Sequence, residues 1–96
     1  MKKHWMKKHV QGGHKVLAAC DKELLGKVIK SQKLSLNVSE YFYKGELVDE
    51  DTLIEEISKG SNINIIGKQT VGAAKKLFSC ETKQIKGVPY AIILRF

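Results

Sequence analysis
The chain has 96 residues, a formal net charge of +7 at neutral pH, 43% apolar and 28% charged residues, eight glycines and one proline. A chain this short holds one hydrophobic core, which excludes a cleft between two large domains, and its apolar content excludes a disordered polymer. No apolar run reaches the roughly 18 to 20 residues of a membrane span, and the basic start MKKHWMKKHV leads into no apolar segment with a cleavage site, so a cytoplasmic location is expected.

Residues 1–8 read as a basic, flexible N-terminal arm, and residues 9–96 as a single α+β domain. From Val10 the pattern V-Q, Gly12-Gly13, HKVLAA predicts two strands joined by a tight glycine turn. Asp21 then precedes KELLGKVIK, in which Leu24, Leu25, Val28 and Ile29 fall on one face of a helix that Asp21 would cap. Gly26 inside it costs roughly 1 kcal/mol against alanine, which suggests a close backbone approach or an early end.

LSLNV alternates with period two and predicts a strand over 34–38 burying Leu34, Leu36 and Val38, with YFYKGE following as a loop. Asp49 caps EDTLIEEISK, where Leu53, Ile54 and Ile57 form the buried stripe. Glu50 and Asp51 sit at the positive end of that helix dipole, Lys59 at the negative end, and Gly60 closes it. NINII predicts a strand over 62–66 stopped by Gly67, and KQTVGAAKKLF a third helix facing inward through Val71, Ala74 and Phe78. TKQI and VPYAIILRF then form two strands around Lys86-Gly87, with Pro89 near a strand start. The expected fold is α+β: a mixed sheet with three helices mainly on one side and β-hairpins near both ends.

Charge is distributed unevenly. Residues 1–33 carry nine lysines against Asp21 and Glu23, residues 34–60 carry seven acids against two lysines, and residues 61–96 carry six bases against one acid. Basic ends of this kind attract polyanions, of which RNA is the obvious cytoplasmic one; a solubilising lysine-rich surface, common in proteins of hot environments, is the plainer reading. Lys7, Lys8, Lys15, Lys22 and Lys27, with Trp5 beside them, form the expected RNA footprint: ammonium groups neutralise phosphates and an indole stacks on a base. Only one of the seventeen bases is arginine, so bidentate base reading is not expected.

Cys20 and Cys80 lie far apart without a C-x-x-C pairing, which predicts free buried thiols in a cytosolic chain. Cys20 stands at the start of a helical pattern, where thiols are activated, yet Asp21 competes for the same N–H groups and raises a thiol's pKa. His4, His9 and His14 recur every five residues, which matches no helix or strand face and no zinc pattern, so neither a metal nor a cofactor is expected. Glu46, Asp49, Glu50, Asp51, Glu55 and Glu56 lack a calcium-loop spacing and describe a solvated helix. Of Tyr41, Phe42 and Tyr43, consecutive in the chain, at least one must be exposed. Gly67 and the N–H groups after it either hold an anion or simply make the turn.

Several stretches, AACDKELLGK, LSLNVSEYFYKGELVDEDTLIEEI, SNINIIGKQTV and KGVPYAIIL, resemble in order the archaeal domain-of-unknown-function family 424, DUF424, from about Val10 to Arg95. The matching positions are Cys20, Asp21, Leu25 and Gly26; Gly45 in an aromatic-x-Gly element; Asn64 and Gly67; and Gly87 and Pro89. The resemblance implies a small α+β fold, an archaeal source and no activity established for the family. Family members often carry a histidine after Gly-Val-Pro, where this chain has Tyr90, and the basic lead here is longer than a typical family start. The function expected is non-catalytic binding of RNA or the ribosome, in association with translation. The alternatives are an enzyme or thiol-dependent protein using Cys20, Asp21 and Tyr90, and a protein-interaction module using the acidic helix 49–59.

Overall fold
The structure, a computed structural model, describes residues 1–95. Its frame is a six-stranded sheet in the order β5-β1-β2-β6-β8-β7. Strands β1 (His4–Gln11) and β2 (His14–Asp21) form a hairpin around Gly12 and Gly13, whose φ values of 56° and 84° give the turn that matches the twist of the strands. Strand β6 (Asn62–Ile66) lies parallel to β2, and β8 (Val88–Leu94) runs antiparallel to β6. β5 (Glu46–Val48) and β7 (Lys83–Ile85) close the two edges as antiparallel partners of β1 and β8. The fold is α+β with a mixed sheet and hairpins near both ends, as expected.

Period-two alternation divides the sheet into two faces. Met6, Leu17, Ala19, Ile63, Ile65, Ala91 and Ile93 point to one side, where they meet Leu53 and Ile57 of α2 (Glu50–Lys59) and Val71, Ala73 and Ala74 of α3 (Lys68–Lys75). On the other side Cys20 and Ile66 pack under Val38, with Trp5, Leu25, Tyr43 and Tyr90 around them. That second side carries α1 (Glu40–Tyr43) and a two-stranded sheet of β3 (Val28–Lys30) and β4 (Ser35–Asn37). The two longer helices therefore share one face, while the single-turn α1 lies on the other.

Local signals explain the elements that match expectation. Asp49 accepts a hydrogen bond from Thr52 N at 2.9 Å and so starts α2, and Gly60 N returns to Ile57 O at its end. Lys86 and Gly87, with φ of 53° and 78°, turn β7 into β8. Phe78 is half-buried against the α2–α3 side of the core.

Four expectations are corrected. Residues 1–8 are not an arm: β1 begins at His4 and pairs on both sides, with His4 opposite Asp21 and also opposite Val48, because His4 and Met6 are buried in alternation with Trp5 and Lys7. The helix expected after Asp21 is a single 3₁₀ turn, Lys22–Leu24, followed by β3. Gly26 at φ 83° ends it, and Gly26 N binds Val38 O while Val38 N binds Lys27 O, so pairing to a distant strand overrides the helical spacing of the leucines. YFYKGE is not a loop: Ser39 Oγ caps Phe42 N at 3.1 Å and starts α1, and Glu46 opens β5. Leu34 lies outside the strand at 54% exposure, and only Val38 of the three expected residues is fully buried. Tyr41, at 80% exposure, is the aromatic that the run Tyr41–Tyr43 leaves in solvent.

Candidate functional site
The parallel pairing of β2 and β6 sets Cys20 beside Ile66, so that Asp21 and Gly67 emerge side by side where both strands end. Gly67 precedes α3 and has no side chain with which to cap it. Asp21 supplies that cap from the neighbouring strand: Oδ1 accepts from Thr70 N at 2.8 Å and Oδ2 from Gln69 N at 3.1 Å. Gly67, at φ 113°, sits so close that a Cβ there would overlap the Asp21 carboxyl group. Gly67 N is held by Pro89 O at 2.8 Å, which ties β8 to the same corner. Of the two roles open to Gly67 and the N–H groups after it, holding an anion or making the turn, the anion present is the protein's own Asp21 carboxylate.

Asp21 caps α3 and not the segment that follows it in sequence; its own turn has no side-chain cap. The backbone of that segment is held otherwise, with Lys22 N bound to Lys3 O at 2.8 Å. His4 completes the corner. Its side chain is buried, and Nδ1 makes a 2.8 Å hydrogen bond with the Thr70 hydroxyl. Burial lowers the His4 pKa, against the opposing pull of Asp21 and Glu50, and keeps the imidazole neutral at physiological pH. Above this corner lies an open cleft of about 640 Å³ bordered by Met1, Lys3, His4, Glu50, Lys68, Gln69, Gly72 and Lys76. Lys76 is neutralised by Glu50 through contacts of 3.0 and 3.1 Å, whereas Lys3 and Lys68 have no carboxylate partner among the described residues.

The residues expected to form an RNA footprint do not gather at one place, although Lys8 and Lys15 border one groove beside Glu56 and Lys59. Trp5 is half-buried in the second core, with the Lys44 ammonium 5.8 Å from its ring. Lys7 donates to Tyr41 O at 2.6 Å and lies over the Tyr41 ring, and Lys8 pairs with Glu56. Lys15 is exposed near the hairpin turn, at the far end of the sheet from Asp21, and Lys27 is exposed beyond the 3₁₀ turn. Lys22 is exposed and follows Asp21 in the chain, with its backbone N–H bound to Lys3 O, and it does not border the cleft that Lys3 and Lys68 line. His4 and Thr70 were not among the expected residues; the one sequence signal for His4 is that the alternation of the first hairpin continues back through Met6.

The thiol alternative meets unfavourable geometry. Cys20 is fully buried, and burial, with Asp21 and Glu23 nearby, pushes its thiol up to about 12, the opposite of nucleophile activation. Tyr90 packs half-buried against the Cys20 cluster, and Asp21 is committed to α3. Cys20 and Cys80 are both free. Among the described residues, no three His, Cys, Asp or Glu side chains converge on a point that would hold a metal ion. No helix among them is long and apolar enough to cross a membrane. The acidic helix is largely neutralised from within: Glu50 pairs with Lys76, Glu55 with Lys59, and Glu56 with both Lys8 and Lys59.

The remaining family positions hold the backbone. A Cβ on Gly45 would come within 2.5 Å of Met6 O, so that glycine lets the chain return against β1. Gly26 and Gly87 adopt positive φ, Asn64 pairs with Ala18 and Ile92 inside the sheet, and Leu25 covers the Cys20 cluster.

Comparison with known proteins agrees with this frame. No curated protein matches the chain. The crystal structure of an uncharacterized conserved protein from Methanopyrus kandleri superposes with a TM-score of 0.78 at 27% sequence identity, over 98% of this chain and 94% of that one. The model of a protein family of unknown function, DUF424, matches residues 9–96. With a family match over nearly its whole length, the chain belongs to the DUF424 family.

Proposed function
We propose that the protein is a non-catalytic, cytoplasmic RNA-binding protein that contacts the phosphate backbone, in association with translation. The observation that carries this is the state of its lysines: of sixteen, only Lys8, Lys44, Lys59 and Lys76 pair with a carboxylate among the described residues. The rest project charge into solvent. Lys3 and Lys68 border the cleft beside α3, with Lys22 close by in the chain after Asp21, and Lys30, Lys33 and Lys86 border another groove.

Lysine ammonium groups release counterions from a polyanion without reading its sequence, which fits a chain with one arginine. Lys7 over the exposed Tyr41 ring adds a second place where a base can stack beside a phosphate. Ribosome pelleting and retention of total RNA, each at low and high salt, test the reading. Association at low salt that is lost at high salt supports it, and no association with either at low salt rejects it.

A further inference from the structure
The cleft beside α3 has a property that backbone binding does not use. His4 is only 3% exposed, and its Nδ1 is occupied by Thr70. Nε2 has no hydrogen-bond partner among the described residues, yet no buried side-chain nitrogen or oxygen among them lacks one. Nε2 therefore reaches the surface, and the surface that His4 borders is the floor of the cleft.

The direction of the His4–Thr70 bond follows from the same accounting. The Thr70 hydroxyl proton has no other acceptor among the described residues, which assigns it to Nδ1 of a neutral imidazole. The ring proton then sits on Nε2, a donor held rigidly from behind by Thr70, whose own backbone is fixed by Asp21. Lys3, Lys68 and Gln69, all exposed, also border the cleft, and the one carboxylate there, Glu50, is held by Lys76.

Gly72 points the same way. It lies in the interior of α3, its φ is not positive, and a Cβ there would meet nothing within 4 Å. Neither backbone conformation nor packing calls for glycine at a position where it weakens the helix. What its missing side chain does is leave the cleft open, since Gly72 is one of the residues bordering it.

We propose that this cleft is a binding site for a terminal phosphate group, a phosphate monoester on a nucleotide or on the 5′ end of an RNA, received by His4 Nε2 at the floor and by Lys3 and Lys68 at the rim. An internal phosphodiester is flanked by a sugar on each side and cannot reach a nearly buried floor atom, whereas a terminal phosphate enters end-on. Its second negative charge suits two unpaired ammonium groups. A cleft of about 640 Å³ has room for one nucleotide. The proposal deepens the RNA reading by naming what the basic corner selects.

The test uses three probes on the full chain: AMP, and one short oligoribonucleotide carrying either a 5′-phosphate or a 5′-hydroxyl. Binding isotherms are recorded together with the His4 ring nitrogen resonances. The expected result is a shift of the His4 Nε2 signal with AMP or the 5′-phosphate strand and none with the 5′-hydroxyl strand. Preference for the phosphorylated strand of about tenfold or more marks RNA ends as the source, and a response to AMP alone marks a free nucleotide. Gly72→Gln, a substitution of good helix propensity into open space, should keep the fold and abolish both the shift and the preference. Equal binding of the two strands with a His4 signal that no probe moves, AMP included, or full phosphate binding by Gly72→Gln, overturns the site while leaving backbone binding of RNA in place. Absence of binding by either strand at low salt rejects the RNA reading; an AMP shift of His4 in the same experiment would still uphold the cleft.

Discussion
Removing the Asp21 carboxylate tests how the corner is built. In Asp21→Ala the N–H groups of Gln69 and Thr70 lose acceptors at 3.1 and 2.8 Å, and Thr70 N is buried where water cannot replace the oxygen. Hydrogen bonds to a charged group contribute about 1.5–3 kcal/mol each, and loss of a helix cap costs about 0.5–2 kcal/mol. One buried and one partly exposed bond together predict a loss of about 3 kcal/mol, or a fall in Tm of roughly 12–24 °C for a domain of this size. Asp21→Asn keeps one acceptor oxygen, for Thr70 N, and should lose about half as much.

Gly67→Ala adds the second half of the argument. Its Cβ would overlap the Asp21 carboxyl group in a backbone conformation that alanine disfavours, so it should destabilise by more than about 2 kcal/mol. In an Asp21→Ala background the three atoms nearest to the new Cβ are gone, which leaves the backbone strain as the main cost. Urea unfolding of the four proteins in this cycle should therefore show strong non-additivity, with the double variant more stable by at least about 1 kcal/mol than the sum of the single losses. Additive losses, or an Asp21→Ala loss below about 0.5 kcal/mol, would refute the trans-strand cap.

Further outcomes follow from other residues. Cys20 should resist alkylation in the native protein and react only at the rate of global unfolding, measured by mass spectrometry against a denatured control; rapid native labelling would revive the thiol alternative. Burial lowers the His4 pKa in the folded state, so the unfolded chain binds the proton more readily. The stability this confers is complete above the unfolded value of about 6.5 and is lost as pH falls from there through the lower folded value. His4→Gln should remove that loss as the pH falls below about 6.5, and stabilities that fall in parallel for the two proteins would contradict it. Gly26→Ala, at φ 83° with open space around it, should destabilise by about 1–2 kcal/mol through backbone strain alone.

The sequence was most legible where its signals are local. Asp49 and Gly60 bracket α2, NINII spans β6, and Lys86-Gly87 turns the last hairpin, all within a few residues of the groups they satisfy. It was least legible where a side chain serves a distant element. Asp21 has the composition of a local cap, but the N–H groups it binds lie 48 and 49 residues away, and only the parallel register of β2 and β6 brings them near. Lys22–Lys30 carries helical spacing, yet Gly26 ends it after one 3₁₀ turn, and Val28 and Ile29 pair with Asn37 and Leu36 as a strand. His4 and Thr70 are separated by 66 positions, and nothing in either neighbourhood marks them as partners. Gly67 was recognisable as a special position, though not as the residue that makes room for Asp21.

The claim that Lys3, Lys22 and Lys68 grip RNA backbone is tested most directly by the salt dependence of binding. Fluorescence anisotropy with a 5′-hydroxyl oligoribonucleotide is compared for the native chain and for the triple variant Lys3→Gln, Lys22→Gln, Lys68→Gln, across increasing salt. Each phosphate contact on a single strand contributes about 0.7 to the slope of log affinity against log salt, so the variant should bind more weakly and lose about 2 from that slope. An unchanged slope and affinity in the triple variant, or no binding by the native chain at the lowest salt, would contradict the account.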